Sequence, residues 1–155
     1  MPTFRNLDEL YVILDSPSKK VLKYITEKSI NTIKDEIDRY GIGKGGDVYK
    51  PTGEFREAFI DELANRINDC FVANFGYDSS NMSLEEENFI HGSFYGDVRE
   101  DLAYYIFKGE SGKLFGEGFW TMPRDAWESA LKIIDKSINK WFKEGFNSVG
   151  FKIKQ

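Results

Sequence analysis

The C-terminal part of the chain carries apolar residues at a spacing that is typical of an amphipathic helix. They are separated by steps of three, one or four residues, and they are Trp127, Ala130, Leu131, Ile134, Ile138, Trp141 and Phe142. This spacing places all of them on one side of a helix. We expect the helix to begin near Pro123 and to end at Gly145. We interpret the stripe as core and not as a binding site.

The N-terminal part predicts two further helices. Asn6 followed by Glu9 forms a capping box, and the helix that it starts should end near Asp15. Ser16 and Pro17 suit the cap and first position of a second helix. The apolar face of this helix consists of Val21, Leu22, Ile25, Ile33, Ile37 and Tyr40. Gly41 should end it as a C-terminal cap.

The middle of the chain predicts a small sheet. Residues 54–60 fit a strand or a turn of helix, and residues 67–77 and 88–95 fit strands because they are rich in β-branched and aromatic residues. A capping box at residues 97–100 predicts a helix that Gly109 ends. The predicted class is therefore α+β in one domain over residues 1–155: N-terminal helices, a small and mostly antiparallel sheet, and a long C-terminal amphipathic helix.

Composition narrows the functional classes. The net charge of −5 argues against a protein that coats DNA, which would carry a basic patch. The single cysteine, Cys70, excludes an intramolecular disulfide and favours a reducing compartment. Neither a signal peptide nor an apolar run of membrane-spanning length is present in the sequence, so we expect no membrane association and a cytoplasmic origin.

The sequence offers no clear catalytic residue, cofactor site or metal site. His91 is the only histidine, so a site that needs two or more histidines is excluded. Cys70 lies among strand-forming residues, and we therefore expect its thiol to be buried and unreactive. The glycines of residues 41–46 follow a predicted helix. A phosphate-binding loop precedes a helix, so we do not interpret these glycines as such a loop. Paired carboxylates such as Asp61 and Glu62 lie in polar runs that fit a solvated surface. An enzyme that uses two converging carboxylates stays an alternative.

Residues 109–122 stand apart because large aromatic residues alternate with glycines. One interpretation is that these aromatic side chains fold back on the core. The other is a flexible arm whose aromatic residues dock on a neighbouring subunit, since Trp and Phe are common interface anchors. On the second interpretation the candidate contact residues are Lys113, Phe115, Phe119, Trp120 and Arg124.

Three segments resemble the head–tail joining, or tail-completion, proteins of tailed phages. Residues 47–59 (DVYKPTGEFREAF) resemble the family segment P-x-x-T-G-x-L-R-x-S. Residues 103–109 (AYYIFKG) are similar to its Y-A-x-x-V-E-x-G segment. Residues 122–131, which begin Met-Pro-Arg, resemble the x-P-F-L-R-P-A-L segment that opens the family's C-terminal helix. The three segments occur in the family's order.

This resemblance implies a structural virion protein of the phage neck that is not an enzyme. Such proteins form homo-oligomeric rings of about six or twelve copies between the portal and the tail, through heterologous interfaces. The implied partners are further copies and other neck and tail proteins, with DNA passing through the lumen without sequence-specific binding. The implied location is the virion neck or tail, and the host cytoplasm during assembly.

A second function fits the composition nearly as well. A small acidic immunity or inhibitor protein would bind a basic toxin or enzyme through charge complementarity. It would form a one-to-one complex and would not assemble with itself.

Overall fold

The computed structural model describes residues 6–42, 53–62, 64–68, 70–82, 102–108 and 125–152. Long helices stand at both ends of this part of the chain, and short antiparallel strands lie between them, so the predicted α+β class is confirmed. The elements are α1 (Leu7–Arg39), α2 (Glu54–Glu57), β1 (Phe59–Asp61), β2 (Asn65–Ile67), β3 (Cys70–Val72), β4 (Phe75–Tyr77), a 3₁₀ turn (Ser79–Asn81), α3 (Leu102–Lys108) and α4 (Ala126–Ser148).

Helix α1 begins as predicted but does not stop at Asp15. The Asn6 side chain accepts a hydrogen bond of 2.9 Å from the Glu9 amide, which confirms the cap. The helix then continues through Pro17, so the prediction of two separate helices is wrong. A proline inside a helix removes one backbone hydrogen bond at a cost of about 3 kcal/mol. The Asp15–Lys19 ion pair of 2.9 Å spans this position on the surface.

The C-terminal end of α1 confirms the predicted role of Gly41. Gly41 has φ +64°, a conformation that glycine adopts without the Cβ clash of other residues. The Gly41 amide donates to Asp38, and the Ile42 amide donates to Ile37 at 3.0 Å. This pair of hydrogen bonds is a Schellman motif. Ile42 and Ile37 are both buried, so the cap also directs the chain back to the core.

Helices α1 and α4 pack antiparallel. Val21 and Tyr24 of α1 meet the last turns of α4, where the Tyr24 hydroxyl lies 3.0 Å from a Glu144 carboxylate oxygen. At the other end, Arg39 donates to the Ser129 hydroxyl at 2.8 Å. Because these contacts pair the end of one helix with the start of the other, the first turns of α1 extend beyond the end of α4.

Gly145 lies inside α4 and does not end it, so that prediction is wrong. The helix continues to Ser148, and Gly145 is buried against α1. A Cβ atom built on Gly145 would lie 2.9 Å from Cγ1 of Val21, closer than real Cβ contacts. Glycine costs about 1 kcal/mol in a helix relative to alanine. Here it allows the two helices to approach closely.

The buried face of α4 is narrower than the predicted stripe. Its buried residues are Ala126, Ala130, Ile134 and Gly145, while Trp127 and Trp141 pack on the core at its margin. Leu131 and Ile138 are each 41% exposed and Phe142 is 45% exposed, so assigning them to the core is wrong. The small residues bring α1 onto one edge of the stripe, and the other edge faces away from it.

The strands form two separate pairs. Strand β1 pairs with β4, with Phe59 opposite Tyr77, and β2 pairs with β3, with Ile67 opposite Cys70. Residues 54–60 thus contain a helical turn as well as a strand. Residues 67–77 do not form one strand. Asn68 has φ 54° and turns the chain between β2 and β3, and residues 73–74 separate β3 from β4.

Four predictions on the central and C-terminal segments have different outcomes. Cys70 is exposed on β3, so the prediction of a buried thiol is wrong. The alternation of Val149, Phe151 and Ile153 predicts a short edge strand, but residues 149–152 form a turn and an irregular segment, so this prediction is wrong. The strand at residues 88–95 and the capping box at residues 97–100 lie outside the described residues.

Replacing Gly145 with alanine should destabilise the protein by about 1–2 kcal/mol. Overpacking against Val21 costs about 1–3 kcal/mol and exceeds the gain in helix propensity. Urea unfolding followed by tryptophan fluorescence measures the change. Adding Val21→Ala to Gly145→Ala should recover part of the overpacking penalty.

Gly76→Ala is the matched control, since a Cβ atom at Gly76 meets nothing within 4 Å. We expect it to change the free energy of unfolding by less than about 0.5 kcal/mol. If Gly145→Ala were as stable as the unmodified protein, the close approach of the two helices would not be limited by this contact.

Candidate interaction surface

The candidate contact residues predicted from the sequence lie outside the described residues. They are Lys113, Phe115, Phe119, Trp120 and Arg124, and the predicted arm at residues 109–122 lies there with them. His91 is outside the described residues as well. The structure does describe the two elements that flank the arm, α3 and α4, and therefore shows where the arm starts and ends.

The two ends of the arm lie close together. The rings of Phe107 in α3 and Trp127 in α4 have centroids 5.7 Å apart. Next to them, the Lys108 ammonium lies 3.8 Å from a Glu128 carboxylate oxygen. Ile106 is buried in the core and holds α3 in place. The end of α3 and the start of α4 therefore lie in the same region of the structure.

A cluster of aromatic side chains packs at the end of α3 and the start of α4. Phe59 is buried and contacts Phe55 in an edge-to-face arrangement with ring centroids 5.6 Å apart. Tyr77 lies 5.7 Å from Phe59, and Trp127 lies 6.2 Å from it. Aromatic pairs of this geometry contribute about 0.5–1.5 kcal/mol beyond the area that they bury. The cluster joins α2, β1, β4, α3 and α4 at the start of α4.

An apolar stripe on α4 is the largest feature of its outer side. The exposed stripe consists of Leu131, Ile138 and Phe142, which are seven and four residues apart and so lie on one side of the helix. Phe146 continues it, with its ring centroid 4.7 Å from that of Phe142, and Phe151 lies 5.9 Å from Phe146. Exposed apolar patches rimmed by polar residues commonly mark interaction sites.

The polar side of α4 is basic although the protein as a whole is acidic. Lys132, Lys136, Lys140 and Lys143 are exposed on this side, with Asp135 between them and the exposed stripe. Lys140 forms a long ion pair of 3.8 Å with Glu144. An amphipathic helix with this pattern favours a partner that offers apolar side chains together with carboxylates.

A buried carboxylate joins the end of α1 to the start of α4. Glu36 accepts from the Arg39 guanidinium, with Nε to Oε1 at 2.9 Å and a second, shorter contact from Nη2. The same guanidinium donates to Ser129. The Arg39 hydrogen bond is the largest cause that holds the pKa of Glu36 below its usual value, against the opposing effect of burial. Glu36 is thus kept ionised as a structural anchor.

A second ionic cluster attaches α2 to α1. Glu57 accepts from Lys34 at 2.5 Å and from Arg56 at 2.5 Å, while Arg56 also donates to Asp38 at 3.0 Å. The Lys34 hydrogen bond, followed by that of Arg56, lowers the pKa of Glu57. Glu57 is well exposed, so solvent weakens these pairs, and their main effect is on the orientation of α2.

An open hollow of about 460 Å³ lies over the β1–β4 pair and was not predicted from the sequence. Its lining includes Ile60 and Gly76, with the carboxylates of Glu62 and Asp78 at its margin. A Glu62 carboxylate oxygen accepts a hydrogen bond of 3.0 Å from the side-chain amide of Asn74. Asp78 accepts from Ser80, which lowers its pKa. Both carboxylates therefore already accept hydrogen bonds from neighbouring side chains.

Searches for related proteins find no match to this chain among protein-family models, curated proteins or solved structures. Within the described ranges, no helix has both the length and the apolar character needed to cross a bilayer. Within the same ranges, no three His, Cys, Asp or Glu side chains are grouped as metal ligands would be. Among the described surfaces, the outer side of α4 is the candidate interaction surface because its exposed stripe is apolar.

Glu36→Gln should remove a pH-dependent part of the stability. A carboxylate whose folded pKa is lowered stabilises the fold above its unfolded pKa, which is about 4.5, and loses that effect as the pH falls through the folded value. At neutral pH we expect a loss of about 1–3 kcal/mol, the range for a hydrogen bond to a charged group. The difference from the unmodified protein should shrink below about pH 4.5.

Urea unfolding at a series of pH values measures this difference. Asp35→Asn is the control, because it removes the same charge from an exposed neighbouring position. Its effect should be small at every pH. A Glu36→Gln difference that stays constant with pH would show that packing and not ionisation of Glu36 is responsible.

Proposed function

We propose that this protein is a structural virion protein of the phage neck, a subunit of a head–tail connector or tail-completion ring. The proposal starts from the three segments that resemble that family. Two of them, residues 103–109 and 122–131, flank the arm and include much of α3 and the start of α4. The resembling segments thus lie on both sides of the arm in the sequence.

The observation that supports this function best is the exposed stripe on α4. An apolar stripe on the outside of a long, well-packed helix suits a protein that acts through contact with other proteins. Leu131, Ile138 and Phe142 lie on the same helix whose other face is packed on α1. The helix can therefore present its outer side without losing its position in the fold.

The carboxylates with shifted pKa favour a role without catalysis. Glu36, Glu57 and Asp78 all have lowered pKa values, in each case chiefly through hydrogen bonds from neighbouring side chains. A general acid at neutral pH needs a raised pKa. In the described part of the chain Glu36 and Glu57 join elements and Asp78 caps the 3₁₀ turn, which fits our proposal that the protein acts through contacts and is not an enzyme.

Ring assembly gives the arm a specific task. A ring uses heterologous interfaces, in which one patch of a subunit meets a different patch of the next. In the proposal Phe115, Phe119 and Trp120 are the anchors, and Lys113 and Arg124 contribute charges at the rim. Rings of about six or twelve copies between portal and tail would surround the DNA.

The remaining partners follow from the same proposal. Other neck and tail proteins would bind above and below the ring, in the virion and earlier in the host cytoplasm. The net charge of −5 fits a conduit that lets DNA pass without binding it specifically. Electron microscopy of the purified protein and of assembled particles tests the proposal directly. Rings of uniform copy number at the neck are expected.

Trp120→Ala should leave the monomer folded and impair assembly. An interface anchor costs about 2 kcal/mol or more of binding free energy when truncated. Circular dichroism and thermal melting test the fold, and analytical ultracentrifugation tests the oligomer. A drop in monomer stability of several kcal/mol, typical of a lost core aromatic, would instead show that the arm folds back on its own core.

The alternative is a small acidic immunity or inhibitor protein. The hollow over β1 and β4, with Glu62 and Asp78 at its margin, is the observation that favours it. That function requires a one-to-one complex with a basic toxin or enzyme. Light scattering coupled to size-exclusion chromatography separates the two: self-assembly supports the ring, whereas a stable monomer that binds one basic partner supports the inhibitor.

A further inference from the structure

We infer that the exposed stripe on α4 is the docking site for residues 109–124 of a second copy of this chain, that is, for the arm at residues 109–122 together with Pro123 and Arg124. The inference rests on the proposed ring function and adds to it the surface that receives the arm. The stripe consists of Leu131, Ile138 and Phe142, and Phe146 and Phe151 extend it at the far end of the helix.

Side-chain chemistry matches the two surfaces. Residues 109–124 contain large apolar side chains suited to an apolar stripe, namely Leu114, Phe115, Phe119, Trp120 and Met122. They also contain two carboxylates, Glu110 and Glu117, and two cations, Lys113 and Arg124, so the segment has no net charge. The match between the two surfaces is therefore apolar, and the four lysines on the polar side of α4 do not contribute to it.

The length of the chain argues for a second copy over the molecule's own arm. Sixteen residues separate Lys108 from Asp125, and both ends lie together at the start of α4. A chain that leaves and returns to one point reaches at most half its length, about 27 Å when fully extended. Phe142 lies about 25 Å along the helix from Asp125. The molecule's own arm would therefore have to be almost fully taut to reach Phe142.

A neighbouring copy has no such restriction. Its arm can approach the stripe from the far end of α4, where the rings of Phe142, Phe146 and Phe151 form a continuous aromatic row. The arm of one subunit and the α4 stripe of the next are different surfaces. Their contact is heterologous, so it can repeat from copy to copy around a closed ring.

Cross-linking between two distinguishable chains tests the inference. Both chains carry Cys70→Ser, because Cys70 is exposed and would react. One chain, with an affinity tag, carries Phe142→Cys, and the other carries Trp120→Cys. A short bis-maleimide should join them into a product of summed mass. Any such product is intermolecular by construction.

Lys140→Cys is the matched control on the same helix. Lys140 is exposed and lies on the opposite side of α4 from Phe142, two residues away. Its yield with the Trp120→Cys chain should be at least about tenfold lower, as expected when roughly 1.4 kcal/mol or more separates the two contacts. Equal yields from both positions would indicate random collision and would overturn the inference.

Two further variants separate this inference from the proposed function. Phe142→Gln should weaken self-association by at least about tenfold, and Lys140→Gln should not, while both keep the helical circular dichroism of the parent. If rings form and neither variant nor cross-link shows a contact at the stripe, the docking site is wrong and the ring function stands. If the parent chain never self-associates, alone or in particles, both are wrong.

A chain that carries Trp120→Cys and Phe142→Cys together, in the Cys70→Ser background, tests the remaining alternative. Intermolecular products are expected, as a ladder of increasing mass. A product that forms only within single chains, at a yield independent of dilution, would show that each molecule covers the stripe with its own arm, and the inference would be overturned.

Discussion

The close approach of α1 and α4 is the contact on which the other features of the fold depend. Gly145 permits it at one end, where no Cβ separates α4 from Val21, and at the other end Ala126 and Ala130 are buried in the same core cluster as isoleucines of α1. Burial of the apolar faces between two long helices supplies much of the stabilising free energy in such a fold. The same contact sets the rotation of α4, and hence which of its residues face solvent.

That rotation connects the fold to the proposed function. Because the small side chains of α4 face α1, its large residues at Leu131, Ile138 and Phe142 are turned outward. The aromatic cluster around Phe59 fixes the start of the helix, and the Glu36–Arg39 pair fastens α1 to the same place. A rigid base for the arm and an apolar surface along α4 are the two parts that a heterologous interface needs.

Local signals in the sequence were sufficient for several elements, because their causes lie within a few residues. The Asn6 cap depends on one side chain and an amide three residues later, and the Gly41 cap depends on a conformation that glycine adopts easily. The long C-terminal helix follows from its own periodicity. The arm was also singled out by sequence, but the contact residues predicted there stay a prediction.

The sequence by itself determined that the N-terminal and C-terminal segments are helical, where α1 is capped at each end and that the class is α+β. Only the tertiary structure decided how these elements are used. Pro17 remains inside α1, and Gly145 lies in a helix contact although it resembles a stop signal. The stripe on α4 divides into a buried edge and an exposed edge. Periodicity shows which residues share a face, but what covers that face depends on the packing partner.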